Sequence, residues 1–157
     1  MGERHLDTAQ SYHNLGATYM DLEEYNEAEK FYKKAHLIRE DILGENSLAV
    51  SESYYYLGEL KERQKRYAIA EYCYKKSLKI KEKILDKQSF LEDETHTKLA
   101  ILYHEIGIDD YAIGDFNDAY ISFEKALNIM KNILPIGHPN LINIEESLKA
   151  TEEKLRE

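Results

Sequence analysis

Histidine is the side chain best suited to bind a metal or move a proton near neutral pH, and this sequence holds six of them. His96 and His104 are eight residues apart. On one helix they would face the same way but sit about 12 Å apart along the axis, too far to share one ion. There is no His-x3-His or Cys-x2-Cys spacing, and Cys73 is the sole cysteine, so no intrachain disulfide can form. Cys73 reads as a small buried apolar residue rather than a reactive thiol. The seven glycines do not make a phosphate-cradling loop, and no Gly-x-Ser-x-Gly elbow is present. The acidic pairs Asp109-Asp110 and Glu145-Glu146 read as solvated. The expectation is a protein that is not an enzyme and uses neither metal nor cofactor.

The elements that would carry these residues are helical. Leu, Ile, Glu, Lys, Ala and Tyr dominate, and the only prolines are Pro135 and Pro139. The formal net charge of −9 over 157 residues argues against binding nucleic acid or an anionic membrane. The charge is uneven: residues 5–46 carry 9 acids and 4 bases, residues 47–94 carry 9 acids and 10 bases. The lysines of the second stretch read as a solvated helical face. No apolar run approaches a membrane span and no secretory segment is present, so a cytoplasmic location is expected. The abrupt start reads as part of something larger.

A repeat organises the chain. Leu15-Gly16, Ala28 and Tyr32 recur 42 residues later as Leu57-Gly58, Ala70 and Tyr74. Leu99-Ala100 and Tyr103 continue the same period, but Phe116, Ala119 and Phe123 lie 49 beyond Tyr67, Ala70 and Tyr74. Seven residues are therefore inserted, and the echo of Ile106-Gly107 in Ile113-Gly114 places them near 106–113. Seven residues make about two helical turns and keep one face inward. The reading is a first helix longer by two turns; a looped-out segment hinged at Gly107 and Gly114 is the alternative. Small residues at Gly16, Gly58 and Ala100, and at Ala28, Ala70 and Ala119, let paired helices approach. Tyr32, Tyr74 and Phe123 fill the space between hairpins. Second helices run on through Leu37-Ile38-Arg39-Glu40-x-Ile42-Leu43-Gly44 and its copies ending at Asp86 and Pro135.

The pattern resembles the tetratricopeptide repeat, in the 42-residue form of kinesin light chains, with His138-Pro139 and Ile-Arg-Glu-x-Ile-Leu-Gly adding to it. Lys61 departs from it, standing where Tyr19 and Tyr103 predict an aromatic. The resemblance implies an all-α, right-handed superhelical solenoid of three hairpins plus a C-terminal capping helix, seven helices in all. The units are 5–46, 47–94, 95–140 and a cap at 141–157, with Ile144, Leu148 and Leu155 turned inward. It also implies a binding scaffold whose first helices line a concave groove. The groove positions mapped from it are Gln10, His13, Asn14, Ala17 and Asp21, then Glu52, Tyr55, Tyr56, Glu59 and Arg63, then Thr97, Lys98, Ile101, His104 and Glu105. Tyr55 reads equally as anchor or packing residue, and Tyr56 as packing. Chaperone-binding members grip a carboxylate with Lys, Asn and Arg, but the matching places hold His13, Ala17, Tyr56, Glu94 and Lys98, so chaperone tails are not expected. Kinesin light chains carry groove asparagines, and only Asn14 matches. The partner expected is a protein or peptide segment with basic or aromatic side chains, and self-association is allowed. The alternative is a peptide-sensing regulatory domain that controls an attached effector, as in bacterial pheromone receptors.

Overall fold

A computed structural model describes residues 5–157. The described residues form eight helices and no strand. The chain divides into two compact units, Met1–Lys87 and Gln88–Glu157. No helix is long and apolar enough to cross a membrane.

The first unit holds α1 (Leu6–Asp21) packed on α2 (Tyr25–Leu43), and α3 (Leu48–Arg63) packed on α4 (Tyr67–Ile84), with α2 also against α3. Its helices start on side-chain caps where the sequence offers one. His5 Nδ1 accepts the Asp7 N–H at 3.3 Å, and Ser47 Oγ accepts the Val50 N–H at 3.3 Å. Met20, Ala28, Tyr32, Leu57, Leu60 and Cys73 form a buried cluster shared by the two hairpins, with Tyr19, Tyr25 and Tyr56 against it. Buried Lys61 donates to Glu29 at 2.6 Å and so ties α3 to α2. Burial alone would raise the Glu29 carboxyl, but hydrogen bonds from Lys33 and Lys61 carry it below its usual value. This pair explains the lysine that departs from the aromatic pattern.

The second unit holds α5 (Lys87–Leu91), α6 (Glu94–Ile113), α7 (Phe116–Ile133) and α8 (Pro139–Arg156). Helix α6 packs on α7, and α7 on α8. His138 caps α8 as His5 caps α1, its Nδ1 accepting the Asn140 N–H at 3.2 Å. On α8 the buried positions are Leu141, Ile144 and Thr151, whereas Leu155, expected to turn inward, is 43% exposed in the last turn.

The packing corrects the register of the third hairpin. A Cβ built on Gly16, Gly58 or Gly107 would fall within 2.7 Å of the rings of Tyr32, Tyr74 and Phe123 respectively. Gly107, not Ala100, is thus the counterpart of Gly16 and Gly58, and first and second helices alike are offset by 49 residues from the second hairpin. Ala100 instead matches Ala9 and Ser51, and all three are fully buried. The turns agree, for Glu23, Lys65 and Gly114 occupy equivalent left-handed positions with φ of 59°, 56° and 86°. Asp110, rather than Tyr103, stands in the third hairpin where Tyr19 and Lys61 stand in the first two. Residues 106–113 are continuous helix, so nothing is looped out there. Helix α6 has 20 residues against 16 in α1 and α3, about one turn more rather than two, and the gain is mostly at its start. The inserted residues precede the hairpin, where they build the unexpected α5 and the first turn of α6.

Candidate functional site

On the first helices one position recurs with the same role. The rings of His13, Tyr55 and His104 lie 5.5, 5.9 and 5.4 Å from those of Tyr32, Tyr74 and Phe123. In the first unit this puts Tyr55 in the core, 7% exposed, with the Tyr56 ring at 5.2 Å and the Lys81 ammonium 5.6 Å from its face. Tyr56 is half-buried instead, 4.5 Å from the His13 ring and 6.0 Å from Tyr32. Burial, then the charge of Arg39, holds the His13 imidazole below its usual pKa. Burial first, then Glu59, Tyr56 and Asp21, pushes the Tyr32 phenol up to about 12. Gln10, Asn14, Asp21, Glu52 and Arg63 are exposed, and Ala17 and Glu59 half-buried. Asn14 Oδ1 accepts from Gln10 Nε2 at 3.0 Å.

Arg39 is a site residue that sequence reasoning saw only as part of a helix motif. It is 4% exposed and fastens three helices. One nitrogen donates to Ser53 Oγ at 3.0 Å and to the Ala49 carbonyl at 3.4 Å, both on α3, and the other to Gln10 Oε1 on α1 at 3.2 Å. This clip under His13 and Tyr56 sets where α1 and α3 present their exposed side chains.

In the second unit His104 and Ser147 lie 3.3 Å apart, joining α6 to α8, and burial lowers the His104 pKa. A cavity opens on each side of that bridge. One, of about 170 Å³, is lined by Ile101, Met130, Asn140 and Asn143 among others. The other, of about 200 Å³, is lined by Ile108, Tyr111, Phe123, Ser147 and Ala150. Ile101 and Ile108 are both exposed and stand two turns apart on α6. Ile108 was missed because the third hairpin was aligned seven residues off; Ile106-Gly107, set against Leu57-Gly58, was the signal. In the corrected register Thr97 matches Leu6 and Leu48, and Lys98 matches Asp7 and Ala49 near the helix start, away from the level of Tyr56, whose counterpart is Glu105. Lys98 and Glu105 are half-buried.

The chemistry these arrangements offer is that of contact surfaces. Among the described residues no three His, Cys, Asp or Glu side chains converge as a metal site would require. Buried Cys73 has its thiol pushed up to about 11 by burial, so it stays protonated at neutral pH.

Residues 7–83 match the tetratricopeptide repeat family model. The fold is similar to the crystal structure of BtubC (BKLC) from P. vanneervenii, with a TM-score of 0.61 and 21% identity over 96% of this chain and 58% of that one. It is also similar to the nearly identical TPR-like repeats of a Podosopora anserina protein assigned as a kinesin light chain, with a TM-score of 0.55 and 18% identity over 96% of this chain and 68% of that one. The chain thus spans 58% of the length of BtubC. No curated protein sequence matches it.

Proposed function

From the match of residues 7–83 to the tetratricopeptide repeat family model, we propose that this protein is a scaffold that holds a protein or peptide segment against its first helices. Repeats of this family generally mediate protein–protein contacts. The observation that carries the reading is the pair of cavities that flank the His104–Ser147 bridge between α6 and α8. Their mainly apolar walls and the bridge between them suit a segment placing one apolar side chain on each side of it. In the first unit, His13, Asn14, Ala17, Glu52, Tyr56, Glu59 and Arg63 make the corresponding surface, where the carboxylates favour a basic segment. Tyr55 is no longer the natural anchor, since its truncation would open a core cavity, and Tyr56 takes its place.

The test is selection of a random displayed peptide library on the full chain, followed by titration of the recovered peptide. Ile108→Arg should weaken binding by about tenfold or more while leaving helicity and unfolding midpoint unchanged. A recovered peptide that binds Ile108→Arg, Tyr56→Ala and Glu59→Lys as tightly as the parent would place the binding surface elsewhere.

A further inference from the structure

At the foot of α4 the first unit carries a polar cavity of about 180 Å³ that the proposed scaffold surface does not use. Lys76, Lys79 and Lys83 line it from α4, with Ile80 and Tyr54 beside them and Glu45 and Asn46 from the α2–α3 turn. Lys83 donates to Asn46 Oδ1 at 3.0 Å, and the Lys76 ammonium lies 5.6 Å from the Tyr72 ring. None of the three lysines is ion-paired among the described residues, and Glu45 is the only acid in the lining. In a chain of net charge −9 this is a concentrated positive patch.

The second unit carries its counterpart. The α6–α7 turn brings Asp109, Asp110, Asp115 and Asp118 near one another, and Ile113 at the end of α6 is 79% exposed. Asp110 stands in the last turn of α6, where the helix dipole disfavours negative charge. Asp110, Asp115 and Asp118 have no ion pair among the described residues. Burial, then Asp118, Asp115 and Asp109, raises the Asp110 carboxyl above its usual value, a repulsion that a facing cation would relieve.

We propose that a second copy of this chain docks here, the aspartate-rich α6–α7 turn of one copy entering the lysine-lined cavity of another. Charge and apolar character match together: lysines meet aspartates, and Ile113 meets Tyr54 and Ile80. The two surfaces differ, so the contact is head-to-tail, each copy offering one turn and one cavity. Rim ion pairs are individually weak, so the association is modest and sensitive to salt.

Sedimentation velocity on the full chain, from micromolar to about 1 mM at low salt, reads this directly. Association should grow with concentration and weaken by about tenfold or more at 1 M salt. Lys79→Glu/Lys83→Glu alone and Asp115→Lys/Asp118→Lys alone should each lose it, with circular dichroism confirming that both fold. Mixing the two variants restores opposite charge at the interface and should restore association. A parent that stays monomeric to 1 mM, association unchanged in either variant, or a mixture that remains monomeric would overturn the proposal. A cavity filled by the same copy's own turn would show as concentration-independent behaviour and overturn it equally.

Discussion

Glycine 107 shows how one missing methyl group organises a hairpin. A Cβ there would lie 2.6 Å from two carbons of the Phe123 ring, and that ring is 2% exposed with no room to retreat. Alanine favours a helix over glycine by about 1 kcal/mol, but overpacking a core typically costs about 1–3 kcal/mol. Gly107→Ala should therefore lower stability in urea by about 1 kcal/mol or more. The loss should shrink when Phe123 is shortened to Leu, because the two side chains then no longer compete for one volume. Equal losses in both backgrounds would mean that Gly107 does not face Phe123.

The three hairpin turns share one design at the scale of the element. The N–H groups of Glu24, Arg66 and Asp115 donate back to the carbonyls of Tyr19, Lys61 and Asp110 at 2.9, 2.8 and 2.9 Å. Each turn then needs one left-handed residue, and only the third supplies glycine. Glu23 and Lys65 hold that conformation with a Cβ, at a cost of roughly 1–2 kcal/mol each. Lys65→Gly should thus raise the stability measured by urea unfolding by about 1 kcal/mol, with no change in helicity. Glycine elsewhere in a helix would do the opposite, so a destabilised variant would show that the turn is not strained.

Across the whole molecule, three half-buried histidines link stability to pH. Burial lowers the pKa of His13, His36 and His104 from 6.5, with Arg39 adding to the effect at His13 and His36, where Glu40 opposes it. The folded chain therefore favours neutral imidazole, while the unfolded chain takes up protons near pH 6.5. The stability they contribute is complete above that value and is lost as pH falls through it towards the lower folded pKa values. Glu29, whose pKa is lowered from 4.5, acts in the same direction further down, and Asp110, raised from 3.8, acts oppositely below the histidine window. Thermal midpoints should be flat from pH 8 to about 7 and decline towards about 5.5. Replacing all three histidines with glutamine should flatten that decline, whatever it does to stability at pH 8.

The sequence by itself determined the all-α class, the paired helices, the buried Ala28, Ala70 and Ala119, and the equivalence of Tyr32, Tyr74 and Phe123. Those features follow from spacings of three, four and seven that put apolar and small residues on one face. It did not determine the third register. A shift of seven residues turns a helix by almost two full turns, so Ala100 and Gly107 lie on the same face and both fit a small-residue position. Only the Phe123 ring, seated over Gly107, separates them. The same limit governed Tyr55 and Tyr56, adjacent residues of one type whose fates depend on what lies beside each. Tyr74 and the Lys81 ammonium enclose the first, and His13 meets the second at its edge. Periodicity specifies the face a residue lies on; which neighbour fills the space above it is decided by packing between helices far apart in the chain.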